Sequence, residues 1–310
     1  MGKRRFPAGK IPFWYVWGRN AAWWISAKSF FALIALLKFF PADRGIEWIG
    51  RAARRLGMAY PRTRVARNNL RLAFPDKPAA EIESILAQMW ENLGRTAAEY
   101  AWLDEIFDFD YDHPGNGRFE IAGIDNFVKL RETKGPAICF TGHTGNWEVL
   151  PVAAAAYGLE ITALFRPPNN PFVARRVLAA RRTAMGHLVP SRAGAAYALA
   201  GIMERGGKVG LLVDQYLLNG VPIRFFGRPT LGNHLIAKLA RQFDCPIYPA
   251  RTVRLPGGKF RIEMQAAISP PRDDSGRIDV AALTQQVNDI VESWVREYPG
   301  QWLWLHKRWR

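Results

Sequence analysis

The chain has 310 residues, 49% of them hydrophobic and 23% charged, with 12 Trp and 18 Phe. That length can bury a sizeable core, and that composition excludes an intrinsically disordered chain. The charge is unevenly placed: the total is +16, and residues 1–75 hold 15 Lys or Arg against only Asp43 and Glu47, leaving the remainder close to neutral. A basic field concentrated in this way seeks a polyanion, which is anionic lipid, an acidic protein or nucleic acid.

The first element is a greasy stretch from Ile11 to Phe40, densest over Trp23–Phe40 and interrupted by Arg19 and Lys28. A clean membrane span needs about 20 predominantly apolar residues. With a lysine near the middle and Trp and basic residues at the flanks, the stretch reads as a tilted or interfacial hydrophobic helix. Residues 1–42 are therefore expected to form a basic, hydrophobic membrane anchor, ahead of the main domain at 43–310. Arg51, Arg54, Arg55, Arg62, Arg64, Arg67 and Arg71 follow directly. Next to a Trp-rich helix they make an anionic membrane surface the leading partner, ahead of nucleic acid.

Residues 43–104 read as helical. From about Glu120 strands and helices alternate: Ala137–Thr141, a helix near Asn146–Ala156, Ile161–Phe165, a helix over Pro171–Met185, His187–Pro190 and a helix over Ala195–Glu204. Lys208–Val213, Pro222–Phe226 and the helix Asn233–Phe243 come next. A hairpin of Ile247–Arg254 with Lys259–Ala267 and a long helix, Val280–Glu297, complete the body. This alternation predicts an α/β fold, a mostly parallel mixed sheet covered by helices. Ligands in such folds bind at the carboxyl ends of strands.

Cys139 and Cys245 are the only cysteines, without metal-ligand spacing, and Cys139 reads as a core residue of its strand. No dinucleotide fingerprint, zinc-protease motif or nucleophile elbow occurs, and Gly201–Lys208 lacks the spacing of a phosphate loop. No metal and no cofactor are expected. The tail aromatics Trp302, Trp304 and Trp309, with basic neighbours, suit a packed C-terminal segment better than base stacking.

The chemistry-bearing segment is Gly-His143-Thr-Gly-Asn-Trp-Glu148, at a strand–helix corner. A histidine at a strand end can reach a carboxylate in the first turn of the next helix. That carboxylate then holds one ring nitrogen protonated and leaves the other free to take a proton from an alcohol. By spacing alone, a lone loop histidine is more often structural. Arg181 stands out independently: Val173, Val177, Arg181 and Met185 form one i, i+4 row, which points the guanidinium at the core or a cleft. A salt bridge with Asp214 or Glu148 is the structural alternative there.

The His-x4-acid segment resembles that of glycerolipid-type acyltransferases, and specifically the late acyltransferases of lipid A biosynthesis. Further matched segments follow in order: Asn69–Asp76, Phe165–Pro171, Asp214-Gln-Tyr, Val221–Gly227 and Pro299–Trp309. The resemblance covers roughly residues 20–310. It implies transfer of a fatty acyl group from acyl carrier protein or acyl-CoA to a hydroxyl of a lipid A precursor. The implied location is the cell inner membrane, with the catalytic domain on the cytoplasmic face. It also implies His143 and Glu148 as a catalytic pair that Arg181 and Asp214 join; Arg181, Asp214, Arg166 and Asn146 are expected to bind substrate. Two positions depart from the pattern, Tyr216 in place of an acid and Thr230-Leu-Gly-Asn after the Phe-Phe-Gly segment. Both bear on acceptor or chain-length preference. A different membrane glycolipid or aminolipid acceptor is the alternative, and a nucleic-acid-binding protein a remote one.

Overall fold

A computed structural model describes residues 13–102, 107–110, 113 and 116–309, with the side chains of 13, 14 and 180–184 excepted. The chain runs through α1 (Phe13–Leu37), α2 (Ala42–Met58), α3 (Thr63–Ala73), α4 (Ala79–Glu99), β1 (Phe119–Ala122), α5 (Ile124–Glu132), β2 (Ala137–Thr141), α6 (Val149–Ala156), β3 (Ile161–Phe165) and α7 (Pro171–Ala184). It continues with β4 (His187–Pro190), α8 (Ala195–Glu204), β5 (Lys208–Leu212), β6 (Val221–Phe225), β7 (Arg228–Gly232), α9 (Leu235–Phe243), β8 (Ile247–Arg254), β9 (Phe260–Met264) and α10 (Val280–Glu297).

Seven strands form one sheet in the order β1-β9-β8-β2-β5-β3-β4, parallel at every pairing except β8 with β9. The mostly parallel mixed sheet expected from the alternation is therefore present. The hairpin of β8 and β9 turns at Pro256–Gly258, as its Pro-Gly-Gly predicts. The sequence reading missed β1 and α5, whose short runs carry little periodicity, and β7, which returns from the Gly227 turn to pair with β6 as a separate ribbon.

Strand β8 is buried along nearly its whole length, so helices cover both faces of the sheet centre. One covering helix is α10, whose Leu283, Val287 and Val291 repeat every four residues and are all buried. Asp279 caps it by accepting from the backbone N–H groups of Ala281 and Ala282, a cap worth about 1 kcal/mol. The helical segment α2–α4 packs on the other side of the C-terminal tail. There Asn69 donates to the carbonyls of Trp304 and His306 at 2.9 and 2.6 Å.

Helix α1 spreads its apolar residues around all sides, interrupted by Arg19 and Lys28, and is only sparsely buried: Trp17, Trp24, Ile25 and Leu36 are exposed, while Ala27 and Leu37 pack on the body. Its stretch Tyr15–Leu37 is long and apolar enough to cross a membrane by length and composition. Asn170 ties it to the loop before α7, donating to the Trp23 carbonyl at 2.7 Å and Ser26 Oγ at 3.1 Å. Residues 1–12 of the expected anchor lie outside the described residues.

Candidate active site

Strands β2 and β5 are parallel neighbours in which Thr141 pairs with Leu212. Two residues past each strand end stand His143 and Asp214, so the register alone brings them together at the carboxyl edge of the sheet. His143 Nδ1 meets Asp214 Oδ1 at 2.7 Å, and the His143 backbone N–H donates to Asp214 Oδ2 at 2.8 Å. Asp214 is 2% exposed, which leaves its charge almost wholly to these donors and to the indole N–H of Trp302 at 2.6 Å.

Burial disfavours the charged imidazole, but the charge and hydrogen bond of Asp214 outweigh it, with the charge of Glu148 adding, and raise the His143 pKa above its ordinary value. Burial likewise opposes the Asp214 carboxylate. His143, through charge and hydrogen bonds, and Trp302 overcome it and hold the carboxyl well below the usual range. The carboxylate holding one ring nitrogen, expected from the spacing to be Glu148, is thus Asp214, which stands just past β5, 71 residues further on.

Glu148 precedes α6, lines the same cavity as His143 and accepts from the indole of Trp147 at 3.0 Å. Asn146 is fully buried. Its Oδ1 accepts the Glu148 backbone N–H at 3.1 Å, and its Nδ2 donates to Glu99 Oε2 at 2.7 Å. Both of its polar atoms are therefore engaged within the protein, and its side chain does not line the cavity. Behind it Arg254 donates to Glu99 Oε2 at 2.9 Å and to Asn92 Oδ1 at 2.9 Å.

The loop between β2 and α6 is held from two sides. Asn92 Nδ2 donates to the Gly145 carbonyl at 2.9 Å, and the Gly145 N–H donates to the Gln301 carbonyl at 3.0 Å. Gly145 has φ +57°, and a Cβ there would meet the Thr252 carbonyl oxygen at 2.2 Å, so only glycine fits. The C-terminal tail completes the clamp: Leu303 N–H donates to the His143 carbonyl at 3.1 Å, and His306 Nε2 accepts the Tyr216 N–H at 2.9 Å.

His143 faces a cavity of about 620 Å³, within the ~300–1,000 Å³ of small-molecule sites. Its floor is one face of the sheet, where Cys139, Gly210 and Ala163 lie side by side across β2, β5 and β3. The roof is Leu150, Ala153 and Ala154 of α6, and Arg166 stands among the lining residues of the β3–α7 loop. Burial pushes the Cys139 thiol up to about 12, which makes it an inert wall residue. Gln215 brings its side-chain amide nitrogen to 3.4 Å from His143 Nε2, the nitrogen not held by Asp214. Its place beside Asp214 in the sequence was the only signal for it. Arg181 belongs to α7, but its side chain lies outside the described residues.

The site thus combines an imidazole oriented by Asp214 through Nδ1, its Nε2 near the Gln215 amide, with a largely apolar cavity. Residues 18–310 match the family model described as bacterial lipid A biosynthesis acyltransferase. The chain is 23% identical to the lipid A biosynthesis myristoyltransferase of Escherichia coli (strain K12) over 270 residues, 84% of this chain and 78% of the relative. It is 22% identical to the palmitoleoyltransferase of the same pathway and organism over 263 residues, 80% of this chain and 79% of the relative. The corresponding lauroyltransferase is 21% identical over 268 residues, 80% and 79% of the two chains. The chain belongs to the bacterial lipid A biosynthesis acyltransferase family, and it is an acyltransferase.

Proposed function

We propose that this acyltransferase moves a fatty acyl group from a thioester, acyl carrier protein or acyl-CoA, to a hydroxyl of a lipid A precursor, with His143 as general base. The observation that carries the reading is the placement of His143. Its Nδ1 is occupied by Asp214, and its ring lines the apolar cavity. Each methylene of an acyl chain buried there contributes about 0.8 kcal/mol.

In this reading the acceptor hydroxyl gives its proton to His143 Nε2 as its oxygen bonds to the thioester carbonyl carbon. The negative charge passes to the carbonyl oxygen. When the tetrahedral adduct collapses, the C–S bond breaks, and the imidazolium returns the proton to the departing sulfur. The new ester and the free thiol complete the balance. Asp214 orients the ring and stabilises the imidazolium, with Glu148 adding negative charge from the start of α6. Asn146 positions Glu148 through its backbone N–H. Arg166, among the lining residues of the cavity, is suited to an acceptor phosphate. Arg181 is assigned to the same substrate, on its place in the α7 row. The amide of Gln215 is the near donor for the developing oxyanion.

The domain is held at the cytoplasmic face of the inner membrane by residues 1–42. Support comes from α1, which exposes large apolar side chains and whose Trp23 carbonyl and Ser26 hydroxyl accept from Asn170 of the loop that lines the cavity. Exposed Arg55 on α2, Arg62 just before α3 and Arg64 on α3 give an anionic leaflet or an acidic carrier protein a basic surface to meet. Residues 43–310 form the catalytic domain of this reading.

The test is acyl transfer by the full chain in membranes, with acyl carrier protein and CoA thioesters as donors. The acceptor panel comprises a lipid A precursor, another glycolipid and an aminolipid. Transfer to the lipid A precursor is expected. Transfer to one of the other acceptors alone would keep the chemistry and overturn the acceptor.

A further inference from the structure

Trp302 is 2% exposed and stands directly behind the His143–Asp214 pair. Its indole N–H donates to Asp214 Oδ2 at 2.6 Å, the oxygen that also accepts the His143 backbone N–H at 2.8 Å. The ring is itself immobilised, edge-on to Trp304 with centroids 4.6 Å apart and tilted against Phe225 at 5.7 Å. Its backbone bridges to Thr144, and the next residue, Leu303, bonds the His143 carbonyl. The donor is therefore fixed relative to the loop that carries the imidazole.

We propose that Trp302 is a positioning residue for acyl transfer, its indole N–H setting both the orientation and the basicity of the Asp214 carboxylate toward His143. The inference rests on the reading of His143 as general base. A carboxylate is free to rotate about its Cβ–Cγ bond. With two donors on Oδ2, rotation would break both, and Oδ1 stays aimed at Nδ1. The positive end of the N–H dipole also weakens the pull of the carboxylate on an imidazolium proton. Without the indole N–H the carboxylate holds that proton more strongly, and His143 stays protonated to higher pH.

Other charged and titratable groups face the pair. Glu148 acts on His143 from the start of α6, and Arg308, buried in the tail, acts on Asp214. Arg166, Tyr216 and Cys139 line the cavity, and His306 holds the Tyr216 N–H. A Trp302→Phe change alters none of these side chains; it removes the indole N–H together with part of the ring packing on Trp304 and Phe225. Trp304 supplies the control. It is also fully buried in the same tail, but its indole N–H is used on the Pro299 carbonyl at 2.8 Å.

The experiment compares Trp302→Phe and Trp304→Phe in the full chain, following transfer from an acyl-CoA as a function of pH. It also follows the His143 ring by NMR in protein labelled at its five histidines, assigned with His143→Ala. Trp302→Phe is expected to lower kcat roughly tenfold, the cost of one charge-assisted hydrogen bond, with the donor KM unchanged. It also moves the acid limb of kcat and the His143 titration to higher pH. Trp304→Phe moves neither, even where it lowers the melting temperature as far. A limb and titration that stay put or fall in Trp302→Phe, or that rise equally in Trp304→Phe, overturn the proposal. Should Trp302→Phe not fold, the wild-type indole resonance of Trp302 is expected to shift as His143 titrates; a resonance that does not respond overturns it. Wild-type transfer by His143→Ala would instead sink the general-base reading, independently of Trp302.

Discussion

Asp214 grips His143 twice, through the ring at 2.7 Å and through the backbone N–H at 2.8 Å. One contact sets the tautomer with Nδ1–H toward the carboxylate, and the other sets the loop that carries the ring. Because both come from one carboxylate, orientation and electrostatics are lost together when it is changed.

Asp214→Asn is therefore expected to lower kcat by roughly 10²-fold or more, within the range that base catalysis supplies. The sign of its pH effect follows from the raised His143 pKa. A base must be neutral, so the rate rises as pH climbs through that pKa. Without that negative charge only Glu148, the smallest of the raising effects, opposes burial of the ring, and the acid limb should move to lower pH. A pH–rate profile checks this, and an unmoved limb would show that Asp214 does not control the base.

The same pair links stability to pH. Asp214 has a depressed pKa in the folded chain, so its contribution is present above the unfolded carboxylate value and is lost as pH falls toward the folded one. His143 has a raised pKa, so its contribution is full below the unfolded value and fades as pH rises through the folded one. Melting temperature against pH should thus lose part of its acid-side dependence in Asp214→Asn.

Gly210 lies at the centre of the cavity floor, and a Cβ there would make ordinary contact with Ile161 Cδ1 at 3.5 Å. Gly210→Ala is accommodated by these ordinary contacts while filling space in the cavity floor. The preferred donor should become shorter, with kcat on the shorter chain retained. Competition between thioesters of different length measures it; an unaltered preference would place the chain elsewhere.

Arg254 and Glu99 form a buried ion pair behind Asn146, with side chains 10% and 1% exposed. Arg254→Ala leaves the Glu99 charge uncompensated and should cost about 3–5 kcal/mol of stability. Denaturant unfolding checks the cost, and a loss below about 1 kcal/mol would mean that the network does not hold the loop.

Much of this was legible in the sequence, for identifiable reasons. Helix α10 and strands β2, β3 and β8 were readable because their apolar spacing or β-branched content is local. The His143 corner was readable because Gly142 and Gly145 mark a turn between strand and helix. Spacing did not show the partnership of His143 with Asp214, which the family resemblance alone brought to the pair, because it depends on β5 lying beside β2 while β3 and β4 come between them in the chain. Spacing favoured Glu148, five residues away, over an aspartate on a distant strand. Trp302 was hidden for the same reason: its aromatic run read as packing, and only the folded tail shows the indole N–H on Asp214.

The central claim is that His143 takes the proton from the acceptor hydroxyl. Its most direct measurement is the rate of acyl transfer to a lipid A precursor by His143→Ala, set against the wild type at saturating donor. A loss of ~10²–10⁴-fold with donor binding retained is expected. A variant that transfers within a few-fold of the wild-type rate would contradict it.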